Sequence, residues 1–218
     1  MAIPYENQLI GAFIFCLGHK AAELGVDKTI LNLFQQTPQD PTLGDLIVGA
    51  TRVVAIEFKR NRDIGSEQQK WDLGAAVEFF RSDAMERCKN AHLFAYSSSQ
   101  AVDDARPIAL ELLVERYQSA IFGISYQDVL PETSLLDDLL LKDGSSCAYY
   151  GAQAHELESY LMALSAFRRT EGGGGEGGGW LVIGVDGDSL KVVHAKTLEE
   201  LMRYAPPQGS TPKFGGKI

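Results

Sequence analysis

The sequence predicts an α/β protein built around a mixed central sheet. Two short β-branched-rich runs, Leu46–Val48 and Val53–Ile56, flank the break Gly49-Ala50-Thr51 and read as an antiparallel hairpin. A long helical pattern follows from about Ser66 to Asn90, and the short apolar run Ala91–Tyr96 comes directly after it. A strand reached through a helix pairs parallel with the strand before it, so parallel and antiparallel pairs meet in one sheet.

In chain order, Pro4 to about Glu23 reads as a helix. Pro4 suits a first turn, Glu6 favours the positive N-terminal end, and Gly25 is a stop. Leu9, Ile10, Phe13, Ile14 and Leu17 cover more than one face, which predicts a largely buried helix. Glu6 shares their stripe, so its carboxylate sits at a core edge or in a polar site; a plain helix-start charge is the alternative. Val26–Phe34 fits a first strand or a continued helical turn, with its β-branched residues leaning to strand. A loop carrying Pro38 and Pro41 leads into the hairpin.

Three charges interrupt the hairpin. Asp45 opens its first strand, while Glu57 and Lys59 close its second. Alternation along a strand puts Glu57 and Lys59 on one face with Val53 and Ala55, and Val54, Ile56 and Phe58 on the other. Asp45 joins them if it stands across from Glu57, which requires an odd number of turn residues or a bulge; the sequence leaves that register open. The alternative is a strand-end aspartate beside a solvent-facing ladder of charges on an edge strand. Val53–Ile56 is apolar on both faces, however, and such a strand is covered on both sides. Charges at the end of a central strand point to a site. Two carboxylates and an ammonium suit Mg²⁺, which takes oxygen ligands and keeps places for water and phosphate.

Gly44-Asp45, eleven intervening residues and then Glu57-Phe58-Lys59 resembles the D…ExK signature of the PD-(D/E)xK nuclease superfamily, with Gly44 where a proline often stands. The resemblance implies a restriction-endonuclease-like αβββαβ core, spanning residues 4 to about 99. It implies Asp45 and Glu57 as ligands of Mg²⁺ or Mn²⁺, Lys59 as the catalytic lysine and Glu6 as a further member of the metal site. It also implies that polar residues opening the second helix, among Glu67, Gln68, Gln69 and Lys70, line the site, Gln69 and Lys70 being the expected ones; a solvated helix start is the alternative for each. A DNA substrate, a homodimer and a role in phage defence are further expectations of the same kind. A catalytically silent fold used as a binding or assembly subunit is a second reading, and an RNA-cleaving effector a third.

The net charge of −9 and pI near 4.9 sit awkwardly with a nucleic-acid enzyme, because phosphate binders usually show a basic face. Either basic residues cluster locally, as Lys59, Arg60, Arg62 and Lys70 do in sequence, or an acidic surface docks a protein partner that grips the nucleic acid. Cys16, Cys88 and Cys147 form no CxxC, which argues for a reducing compartment and against zinc. Met1–Glu6 shows no signal-peptide pattern, and the longest apolar run, Leu9–Leu17, is too short to span a bilayer. These features predict a cytoplasmic protein without a membrane partner.

Beyond the core, residues 101–205 read as a mainly helical extension carrying a second hairpin. Pro107 to about Phe122 shows a helical stripe of Leu110, Leu113, Val114, Tyr117 and Ile121. A short helix is expected near Leu135–Leu141, and another over Ala152–Arg169 with Leu157, Tyr160, Leu161, Leu164 and Phe167 inward. The glycine-rich stretch 171–179 has neither GxxxxGK[ST] nor GxGxxG between a strand and a helix, so it reads as a surface loop or lid rather than a nucleotide site. Trp180–Val185 and Leu190–Ala195 form the second hairpin around Asp186-Gly187-Asp188. A short helix is expected at Leu198–Tyr204, and residues 206–218 read as a flexible tail.

Overall fold

The structure is a computed structural model and describes residues 5–26, 30–33, 46–49, 52–80, 86–99, 110–127, 135–140, 149–167, 180–186 and 189–195. Helix α1 spans Glu6–Glu23 and is followed by strands β1 (Ile30–Leu33), β2 (Leu46–Gly49) and β3 (Val53–Lys59). Helices α2 (Ile64–Gln68) and α3 (Leu73–Phe80) lead to β4 (His92–Ser99) and β5 (Leu110–Arg116). Helices α4 (Tyr117–Phe122), α5 (Leu135–Leu140) and α6 (Ala154–Ser165) come next, then the ribbon β6 (Trp180–Asp186) and β7 (Ser189–Ala195). Among the described residues, no helix is long and apolar enough to cross a membrane.

Strands β1 to β5 lie side by side in chain order, antiparallel except for the parallel pair β3 and β4. The protein is therefore mixed α/β, with helices on both faces of a mixed sheet. Strand β3 is buried along Val53–Phe58, which is why its sequence runs apolar without alternation. Its Val54, Ile56 and Phe58 pack with Leu93 and Ala95 against Ile10, Phe13 and Leu17 of α1 and Leu139 and Leu140 of α5. Its Val53 and Ala55 face the other layer, with Phe94, Trp71, Phe80, Tyr117 and the α6 residues Leu157, Tyr160, Leu161 and Leu164. Of the inward side chains expected for α1 and α6, Ile10, Phe13, Leu17, Leu157, Tyr160, Leu161 and Leu164 are buried, while Leu9, Ile14 and Phe167 are half-buried. Helix α1 is not largely buried as expected: it covers the sheet with one face and leaves Phe15 and Cys16 exposed on the other. The β6–β7 ribbon is a separate antiparallel pair that lies against β1.

Two elements differ from expectation. Residues 110–116 form a strand rather than the first turns of a helix over 107–122. The stripe Leu110, Leu113, Val114 fits helical spacing, but the same stretch also alternates. Leu112 and Val114 join the α1 layer, while Leu113 joins the α6 layer. Pairing from Ser99↔Leu110 to Leu93↔Arg116 satisfies the backbone of β4 along its outer edge, and that long-range gain outweighs local periodicity. The core sheet thus continues past residue 100, and among the described residues of that stretch only Tyr117–Phe122 is helical.

The pattern from Ser66 to Asn90 is also interrupted. Asp63, not Ser66, caps the first helix, accepting from the Ser66 N–H at 3.2 Å. That helix ends at Gln68, and Asp72 restarts the chain by accepting from the Ala75 N–H at 3.4 Å while donating its own N–H to the Phe167 carbonyl at 2.9 Å. The glycine-rich stretch, the helix expected at 198–204 and the tail lie outside the described residues.

Candidate active site

Strand β3 carries Glu57 and Lys59 to its C-terminal end on the face shared with Val53 and Ala55. The Lys59 ammonium stands 2.5 Å from Glu57 Oε1. The pair is not a solvent-facing ladder, because the Glu57 side chain is 8% exposed and that of Lys59 13%. Lys70, just past α2, also reaches Glu57 Oε1, at 3.3 Å.

Two ammonium groups on one oxygen lie within about 6 Å of each other. At an effective dielectric of about 20 their repulsion is about 3 kcal/mol. A second carboxylate offsets it. Glu67 of α2 is 1% exposed and places Oε2 2.6 Å from Lys70 and 3.7 Å from Lys59. Its other oxygen accepts from the Tyr117 hydroxyl at 2.6 Å. Burial pushes the Glu57 carboxyl up, the Glu67 charge adds to this, and the Lys59 and Lys70 ammoniums oppose it. Burial raises Glu67 as well, but there Lys70 and Lys59 win and hold the carboxyl well below its usual range.

Glu6 enters from the opposite layer, at the first turn of α1, with Oε1 4.0 Å from Lys59 Nζ. It forms one wall of a cleft of about 460 Å³ that Lys59, Arg60, Asp63 and Lys70 also line. The cleft is open to solvent and mixed in charge; Lys59 and Lys70 of the cluster reach it, whereas the buried Glu57 and Glu67 are not among its lining residues.

The remaining expected residues divide. Arg60 lines the cleft and its guanidinium lies 4.8 Å above the centre of the Tyr5 ring. Arg62 points elsewhere, pairing through two nitrogens with Glu115 on β5 at 2.7 and 3.0 Å. Gln69 is exposed, and its neighbour Gln68 is used in packing, donating to the Ile121 carbonyl at 2.7 Å. Asp45 lies outside the described residues. Its neighbour Leu46 stands opposite Ile56, and three residues separate Gly49 from its partner Val53, so the turn has the odd length that the shared face requires. His92 is structural: its Nδ1 is 3.0 Å from the Tyr160 hydroxyl, and burial holds the ring at about 3, hence neutral.

Glu67 stood among the four polar candidates opening the second helix but was not the expected one, and Tyr117 was read only as an apolar-stripe residue. Tyr117 comes from beyond residue 100, through a strand that the periodicity concealed.

The donor chemistry suits a hard divalent cation, being carboxylate oxygen rather than thiolate or imidazole. Among the described residues no group of three His, Cys, Asp or Glu is gathered to hold a metal ion, so Glu57 and Glu6 would need Asp45 to complete a set. In comparisons with known proteins, no family model, curated protein or solved structure matches this chain.

Proposed function

We propose that this chain is a metal-dependent nuclease that hydrolyses phosphodiester bonds, with DNA as its substrate. The observation that carries the reading is the Glu57–Lys59 couplet, buried at the end of a central strand with Lys59 lining a cleft. The order helix, three strands, helices, strand agrees with the αβββαβ core that the D…ExK resemblance implies. In this reading the fold is restriction-endonuclease-like, with β5 and the later helices packed onto the core.

Asp45, Glu57 and Glu6 would hold Mg²⁺ or Mn²⁺. Such an ion, when bound, supplies a Lewis acid for the phosphate and makes its water more acidic. Lys59 orients the attacking water and offsets charge that builds on the phosphate. Lys70 places a second ammonium at the same oxygen of Glu57, and Arg60 faces the strand backbone from the cleft wall. A homodimer that cuts both strands, and a place in phage defence, follow from the resemblance and belong to this proposal. The test is cleavage of plasmid DNA with Mg²⁺ or Mn²⁺, with single-stranded RNA alongside to separate an RNA-cleaving effector. Equal cutting by wild type, Lys59→Ala and Glu57→Ala would sink the assignment.

One observation favours a second reading. Glu57, Glu67, Lys59 and Lys70 form a set of two negative and two positive charges, with Glu6 at its rim 4.0 Å from Lys59, and it needs no metal to be balanced. A silent nuclease fold serving as a binding or assembly subunit would keep such a set for stability alone. Titration with Mn²⁺ discriminates: no binding, together with a stable protein partner, selects the second reading.

A further inference from the structure

Glu67 lies outside the D…ExK triplet, yet it is more buried than Glu57. A buried charge persists only where its partners are fixed. Tyr117 supplies the fixed point. Its hydroxyl receives the Trp71 Nε1–H at 2.8 Å and donates to Glu67, while its ring stacks on His92 with centroids 3.9 Å apart and planes 13° from parallel. Held by a donor and by a stacked ring, this hydroxyl cannot swing away from Glu67. The bond from Gln68 to the Ile121 carbonyl pins α2 to α4 beside it.

We propose that Glu67 is a positioning residue which, anchored by Tyr117, draws Lys70 from α2 and Lys59 from β3 together at Glu57. The two lysines carry like charge and approach the same carboxylate oxygen from different elements. Glu57 alone balances one of them. Glu67 touches both, more closely Lys70 at 2.6 Å, while Lys59 also has Glu6 at 4.0 Å, so loss of Glu67 releases chiefly the Lys70 ammonium toward the cleft. The catalytic meaning of this arrangement rests on the nuclease reading, whereas the placement of the lysines does not.

Lysine labelling tests it. Wild type, Glu67→Gln and Tyr117→Phe are treated with an amine-acylating reagent at fixed pH, and the rate at each lysine is followed by mass spectrometry. In wild type Lys59 and Lys70 react slowly. In Glu67→Gln at least one of them speeds up by about tenfold, in Tyr117→Phe by less, while Lys20 and Lys89 keep their rates. Unchanged rates at Lys59 and Lys70 in folded Glu67→Gln overturn the proposal, and so does acceleration at every lysine, which would make Glu67 a support of the fold. Kinetics on plasmid DNA with Mn²⁺ add a second reading: kcat falls by about tenfold in Glu67→Gln with KM kept. If wild type cuts nothing, the nuclease reading fails by itself and the labelling still decides the role of Glu67.

Discussion

Lys59 Nζ and Glu57 Oε1 stand 2.5 Å apart on one face of β3, two residues from each other and nearly closed off from water. Breaking one side of such a pair leaves a charge that the site was built to neutralise. Lys59→Met is expected to cost about 3 kcal/mol, the lower end for a buried pair because Lys70 still touches Glu57. The double variant Glu57→Leu with Lys59→Met recovers most of that loss, since Lys70 and Glu67 remain paired. Urea denaturation of the four proteins in the cycle checks this. Single variants as stable as wild type would mean an exposed ladder and no buried cluster.

The parts of this fold that a single chain segment determines were legible in the sequence. Ile10, Phe13 and Leu17 announce α1 by spacing, and Val53–Ile56 announce a covered strand by lacking any polar alternation. What was not legible depends on partners distant in sequence. Leu113 and Val114 satisfy both a helical stripe and an alternating strand, and only the open edge of β4 selects the strand. Glu67 reads as an ordinary charge opening a helix until Tyr117, fifty residues on, arrives to receive it. Arg62 looks like part of a basic cluster beside Lys59, but Glu115 of β5 takes it away. The Glu57–Lys59 pair was visible because its spacing is local; the buried Glu67 carboxylate beside it was not, because burial is a property of the assembled layers.

His92 gives the fold a dependence on pH. Its folded value is about 3 against an ordinary 6.5, lowered by burial, so the unfolded chain takes up a proton that the fold refuses. Between pH 6.5 and 3 the unfolded state binds the extra proton, and stability falls as pH falls. The slope from this one group is about 1.4 kcal/mol per pH unit. His92→Phe keeps a ring against Tyr117 and removes the titration. Denaturation of both proteins at stepped pH is expected to show wild type losing stability relative to the variant throughout that window. Parallel curves would contradict the buried, neutral imidazole.

Two glycines separate backbone strain from crowding. Gly151 has φ +92°, and a Cβ there would meet Arg52 Cβ at 3.0 Å and the Val53 carbonyl oxygen at 3.2 Å. It lies where Val53 and Ala152 exchange backbone hydrogen bonds, both 3.0 Å, and where the Arg52 guanidinium donates to the Gly151 carbonyl. Gly123, after α4, has φ +67° with open space around the missing Cβ. Gly151→Ala is expected to cost about 3 kcal/mol, strain and contact together. Gly123→Ala should cost about 1 kcal/mol from conformation alone. Thermal denaturation orders the two, and equal losses would show that the clamp between Val53 and Ala152 does not form.

A crystal structure of the protein soaked with Mn²⁺, read by anomalous scattering, tests the metal centre most directly. The expected result is one manganese bound by carboxylate oxygens of Asp45 and Glu57, with Lys59 beside it and the peak absent in Glu57→Ala. Asp45 turned away from Glu57, with no manganese at the end of β3, would contradict it.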